Sequence, residues 1–226
     1  KLKELDFKQS SADPCMYIRT SRGEKVLISV YVDDLLIASK SQTQLDQLKK
    51  ELNSKFEMRD LGPLHYCLGI EFKIKNGTIS ANQRKYINEM LQKYKMEGSN
   101  PVKTPMTPGL KLEKIENPDP VYPYQNLIGA LMYLAVATRP DISHTVSFLS
   151  QFNNCFGKEH WLAAKRVLRY LKGTKDMSLQ FRKTGKPLTG YADANWGSCS
   201  NDGRSYTGFC FTALGGACVS WESRKQ

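Results

Sequence analysis

"VLISVYVDDLLIASKS" (residues 26–41) sets two acids, Asp33 and Asp34, inside an otherwise apolar run. One unpaired carboxylate is costly to bury, and two side by side are costlier, because each opposes the ionisation of the other. The pair therefore belongs at a turn. Upstream, "MYIRT" (16–20) and "KVLISVYV" (25–32) are rich in β-branched and aromatic residues and flank the turn signal "SRGE" (21–24). They read as a β-hairpin. The apolar residues 35–38 read as a third strand, with Asp33 and Asp34 at the turn between.

Working outward, Ser41 and Gln44 form a capping-box pattern ahead of Leu45, Leu48, Leu52 and Phe56 at helical spacing. This predicts an amphipathic helix over about 42–55. In "LGIEFKIKNGTIS" (68–80), Leu68, Ile70, Phe72 and Ile74 alternate with Gly69, Glu71, Lys73 and Lys75, and Asn76-Gly77 is a preferred two-residue hairpin turn. A helix over about 82–94 follows, with Tyr86, Ile87, Met90, Leu91 and Tyr94 on one face and Gly98 as its stop. Residues 101–123 hold six of the ten prolines and read as an extended connector. "YQNLIGALMYLAVA" (124–137) reads as a helix ended by Arg139-Pro140, and Asp141 is placed to cap another helix to about Phe152. A further helix over about 159–172 has an apolar stripe of Trp161, Ala164, Leu168 and Leu171, with Lys165, Arg169 and Lys172 on another face. After Gly173, "PLTGYADA", "SYTGFCFTA" and "ACVSW" are short β-rich runs separated by Gly, Asn and Ser.

The 226 residues allow one large domain or two small ones. A net charge of +11 favours an anionic partner, with nucleic acid the usual one. Residues 158–186 carry nine Lys or Arg against two acids, Glu159 and Asp176. The six cysteines make no C-x-x-C pair and suit a reducing compartment. With His65, His144 and His160 they show no zinc-ligand spacing. No apolar run is long enough to span a bilayer, and no signal peptide is evident. The chain opens on Lys1 in an already amphipathic segment, as a fragment or a processed product would.

Two carboxylates at a tight turn repel each other unless a cation sits beside them. Mg²⁺ takes hard oxygen ligands and is usually completed by water and substrate phosphates. In nucleotidyl transfer, two such ions clamp the attacking and leaving oxygens. A solvated Asp-Asp turn needs no metal, so on these residues alone both readings stand.

"SVYVDDLLIAS" resembles the Tyr-x-Asp-Asp palm motif of reverse transcriptases. In order along the chain, "FEMRDLGPLHYCLGIEF", "QRKYINEMLQKYKM", "LIGALMYLAVATRPDI", "HWLAAKRVLRYLKGT" and "GYADANWGSCSNDGRSYTGFCF…GGACVSWESRKQ" resemble the Pol polyprotein of copia-type LTR retrotransposons. The resemblance implies an α+β fold: a partial reverse-transcriptase palm of antiparallel hairpins and helices with a primer-grip region (1–100), the connector (101–123), a helical thumb and connection (124–175) and the first strands of a ribonuclease H-like domain (176–226). It implies that Asp33 and Asp34 are catalytic metal ligands, with Tyr31 and Val32 beside the primer end. Leu68 and Gly69 match the primer grip. Gln125, Gly129 and Tyr133 match thumb positions that track the duplex. Lys165, Arg169 and Lys172 would add phosphate contacts. Asp193 matches the first catalytic, metal-binding aspartate of ribonuclease H, although Asn195 stands where the family often has a second acid.

The expected cofactor is Mg²⁺ or Mn²⁺. The expected partners are an RNA template and DNA primer, RNA–DNA hybrid, and dNTPs for the complete enzyme, without a membrane. The expected compartment is the cytoplasm, in a virus-like particle, or the nucleus. The palm of this family uses a third aspartate from a preceding strand, in an Asp, spacer, Ala-Phe context. Neither Asp6 nor Asp13 has it, so the third carboxylate and the fingers are expected before Lys1, and the chain alone is expected to be inactive. The alternative is a decayed or domesticated remnant that only binds nucleic acid or a protein partner.

Overall fold

Alternation of apolar residues drives the first strands together. In the computed structural model, which describes residues 1–21, 23–118, 120–197 and 202–226, the chain divides into two units, Lys1–Leu64 and His65–Gln226.

The first unit is a four-stranded antiparallel sheet in the order β1-β2-β3-β4, formed by β1 (Lys8–Gln9), β2 (Met16–Ser21), β3 (Glu24–Tyr31) and β4 (Asp34–Ser39). One helix, α1 (Gln42–Asn53), follows. Val26 and Ile28 of β3 and Leu48 and Leu52 of α1 are buried with Phe7 in one core, flanked by Val30, Leu35 and Ile37. Because side chains alternate across a strand, the residues paired with the odd positions of β3, among them Leu36 and Asp34, lie on the opposite face. Ser41 caps α1, its Oγ accepting from the Gln44 N–H at 3.4 Å. The return half of the capping box is not made: Gln44 Nε2 donates instead to the Ser21 carbonyl at 3.2 Å.

The second unit contains an antiparallel sheet of β5 (Tyr66–Cys67), β6 (Ile70–Lys75), β7 (Thr78–Asn82) and β8 (Leu179–Arg182), and a second sheet ordered β11-β10-β9 from β9 (Thr189–Ala194), β10 (Tyr206–Ala213) and β11 (Ala217–Lys225). Between them in sequence run α2 (Arg84–Lys93), α3 (Tyr124–Ala137), α4 (Ser143–Ser150) and α5 (Lys158–Gly173). Their apolar faces close one core around Leu127, Ile128, Leu131, Leu134, Val146, Leu149, Phe152, Val167, Leu168 and Leu171. The Pro-rich connector supplies Leu112 to that core and, among its described residues, has no helix or strand. The architecture is thus mixed α and β with antiparallel sheets, and five α-helices among the described residues.

Three local readings change. Gly98 does not stop α2. Lys95 does, at φ +54°, with the Met96 N–H closing on the Leu91 carbonyl at 2.8 Å, so the helix ends in a left-handed cap on a lysine. Leu68 is not a strand residue: Leu68 and Gly69 have φ of +49° and +71° and form the two-residue turn between β5 and β6, where Cys67 pairs with Ile70. Asp141 caps no helix with its side chain. Its carboxylate accepts from Arg139 Nε and Nη2 at 2.9 and 2.7 Å and from the Tyr170 hydroxyl at 2.7 Å. Arg139, only 2% exposed, also donates to Thr174. A buried guanidinium needs an anion and filled hydrogen bonds more than α4 needs a cap.

Candidate functional site

Tyr31 pairs with Asp34, so β3 and β4 are closed by the two-residue turn Val32-Asp33. Val32 sits at φ +52°, a region that disfavours β-branched side chains and costs about 1–2 kcal/mol. Backbone strain of this kind persists only where surrounding structure over-determines it. Here two full strands do so. Tyr31 and Val32 are 58% and 82% exposed, so no burial of their side chains offsets the strain. Asp33 opens into solvent from the turn and Asp34 from the first position of β4. Among the described residues no hydrogen bond or ion pair engages either carboxylate. Two adjacent hard-oxygen groups left unneutralised suit Mg²⁺ or Mn²⁺ as a partial ligand set. No cluster of three or more His, Cys, Asp or Glu among the described residues could hold a metal ion.

In the second unit the structure brings Leu68, Gly69 and Tyr133 together. The Tyr133 hydroxyl donates to the Leu68 carbonyl, and a Cβ at Gly69 would lie 3.1 Å from the Tyr133 oxygen. Tyr86 meets the Tyr133 ring edge-on at 5.3 Å. One and two turns back along α3, Gly129 is open to solvent and Gln125 donates to the Asn153 carbonyl at 2.8 Å and the Asn154 side chain at 3.2 Å. Gln125, Gly129 and Tyr133 therefore share a face of α3, and Tyr133 holds the neighbouring turn.

Three cations of α5, Arg166, Arg169 and Lys172, are engaged with the chain itself. Arg169 Nε donates to the Asn100 carbonyl at 2.7 Å. Lys172 Nζ donates to the Glu97 carbonyl and, at 2.7 Å, to that of Ser99. Arg166, which the sequence reading did not single out, reaches Thr104 Oγ1 at 2.9 Å. These groups fasten residues 97–104, the entry to the connector. Lys165 is half-buried on the same helix.

Asp193 lies on β9, opposite Gly208 of β10, which in turn faces Ser223 of β11. It lines an open cleft of about 470 Å³ with His144, Tyr206, Cys210 and Glu222. His144 Nδ1 is 3.4 Å from Ser223 Oγ, and burial pushes this histidine below its ordinary pKa. Asn195 Oδ1 accepts the Tyr206 N–H at 3.0 Å, so the residue standing where the family often has an acid ties the end of β9 to β10. The sequence did not single out His144 and Glu222 as cleft residues because neither has motif spacing and β11 brings Glu222 to the cleft only through its pairing with β10. Residues 198–201, within the "GYADANWGSCSN" stretch, lie outside the described residues.

Residues 1–108 match the reverse transcriptase (RNA-dependent DNA polymerase) family. Over its whole length the chain is 38% identical to the retrovirus-related Pol polyprotein from transposon TNT 1-94 of Nicotiana tabacum, of which it covers 18%. It is 38% identical to an uncharacterized mitochondrial protein of Arabidopsis thaliana, over 87% of this chain and 82% of that one. It is 35% identical to the putative transposon Ty5-1 protein of Saccharomyces cerevisiae, over 99% and 74% respectively. No solved structure matches. The chain therefore belongs to the copia-type retrotransposon Pol polyproteins and carries part of their reverse-transcriptase domain. It spans less than a fifth of the length of the plant transposon Pol polyproteins it matches.

Proposed function

We propose that this segment forms the palm end, thumb and connection of an RNA-directed DNA polymerase, followed by the opening strands of a ribonuclease H-like fold. The observation that carries the reading is the strained hairpin tip, with two exposed carboxylates that no described residue neutralises. Asp33 and Asp34 are the residues that would hold Mg²⁺ or Mn²⁺, whose chemistry there is to neutralise charge on the attacking 3′ oxygen and the leaving pyrophosphate of a dNTP. Tyr31 and Val32 border the primer terminus. Leu68 and Gly69 bear on the primer backbone through a turn that Tyr133 steadies. Gln125 and Gly129 present an exposed helix face to the template–primer duplex, and Lys165, Arg169 and Lys172 add positive charge. Asp193 is the first metal-binding aspartate of the ribonuclease H portion. Virus-like particles in the cytoplasm, or the nucleus, are the compartments this activity implies.

One observation favours a second reading, a remnant that only binds nucleic acid or a protein partner. Among the described residues no third carboxylate joins the pair. Primer extension separates the two. The chain alone, given primer–template, dNTPs and Mg²⁺, is expected to add no nucleotides, whereas a longer Pol chain that adds the upstream aspartate is expected to synthesise DNA. Robust incorporation by the chain alone would overturn the incomplete-site account. No synthesis by the longer chain would favour the remnant.

A further inference from the structure

Cys210 on β10 and Cys218 on β11 place their Sγ atoms 2.9 Å apart. That is inside the about 3.5–4.0 Å of ordinary non-bonded carbon contact, yet both thiols are free. The register explains the approach. Cys210 pairs with Trp221 and Phe211 with Ser220, but Thr212 pairs with Cys218, so Val219 is an extra residue on β11. In an unbroken ladder Cys218 would oppose Ala213 and point to the face away from Cys210. The bulge flips it onto the Cys210 face.

We propose that Cys210 and Cys218 form a reversible disulfide across this bulge, a modification site on the wall of the Asp193 cleft. The oxidant is a small disulfide of the glutathione class. The Cys210 thiolate attacks one sulfur of that disulfide, giving a mixed disulfide and releasing one small thiol, which takes up the proton Cys210 gave up. The Cys218 thiolate then attacks the Cys210 sulfur, closing the protein disulfide and expelling the second small thiol. Two protein thiols are oxidised and one small disulfide is reduced to two thiols.

Access sets this order. Cys210 lines the cleft, whereas Cys218 is 8% exposed. Burial, reinforced by the neighbouring Cys210 thiol, pushes the Cys218 thiol up to about 12, so Cys218 resolves slowly and closure quickens as pH rises. In a reducing compartment such a bond would be labile and reversible.

The test is to equilibrate the folded chain with oxidised glutathione, alkylate, and map peptides by mass spectrometry. Two of the six thiols should be lost, in a peptide pair linked through Cys210 and Cys218, and dithiothreitol should restore both. Cys210→Ser and Cys218→Ser should each abolish the link. In urea the selectivity should vanish, because the bulge that aims Cys218 is gone. Full alkylation of both cysteines after equilibration, pairing of either with another cysteine, or equal selectivity in urea would overturn the proposal.

Discussion

Val32 is a β-branched residue at φ +52°, on the turn between the two strands that frame the paired acids. Glycine would relieve about 1–2 kcal/mol of left-handed strain against an added entropic cost of about 0.5–1 kcal/mol. Val32→Gly is therefore expected to leave thermal stability unchanged or slightly raised; a fall of several degrees would contradict the strain assignment. That Asp33 and Asp34 lie at the tip of a hairpin was legible in the sequence, because two carboxylates in an apolar run have few places to go, but the turn is Val32-Asp33 and Asp34 already opens β4. The turn at Leu68 was not legible. Its left-handed backbone falls on a leucine that also satisfied a strand alternation, and only Gly69 beside it carried a turn signal. Gly69→Ala is expected to destabilise by about 1–2 kcal/mol, since alanine meets both φ +71° and the Tyr133 oxygen. Tyr133→Phe removes the hydroxyl that donates to the Leu68 carbonyl and should cost about 1 kcal/mol by denaturant unfolding.

The hairpin β6–β7 and helices α1, α3 and α5 were readable because each announces itself locally, by an Asn-Gly turn, a serine cap or a long apolar period. The strand β8 was not, being four residues that pair with β7 about a hundred positions away. Nor was the destination of Asp141, which depends on α5 bringing Tyr170 and Thr174 to Arg139. Burial alone would raise the Asp141 carboxyl, but hydrogen bonds and charge from Arg139, with Tyr170, hold it below the ordinary carboxylate value. Its contribution to stability is therefore present above the unfolded value of about 3.9 and is lost as pH falls through the lower folded value. Asp141→Ala strands a buried Arg139 and is expected to cost about 3–5 kcal/mol. Burial lowers His144 and His160 below their ordinary values. The unfolded chain then binds more protons than the folded one below about pH 6.5, so stability should decline as pH falls from 7 to 5. Denaturant titrations across that range should show the slope in the parent and a reduced one when both histidines are glutamine. A flat parental profile would contradict it.

At the scale of the molecule, charge and chemistry point the same way. A net charge of +11 suits a polyanion, and binding through phosphate contacts releases counterions. Affinity for RNA–DNA hybrid should therefore fall linearly, on logarithmic axes, with salt; a flat dependence, or no binding at low salt, would contradict a nucleic-acid surface. The composition made the excess of positive charge legible. It could not show that Arg166, Arg169 and Lys172 already hold residues 97–104, because those partners lie more than sixty positions away in sequence. The most direct measurement is primer extension by a longer Pol chain carrying Asp33→Asn or Asp34→Asn, alongside its affinity for the template–primer. Each variant should lose synthesis while binding stays within a few-fold of the parent. Retained synthesis in both would contradict the assignment of the hairpin tip as the metal-holding site.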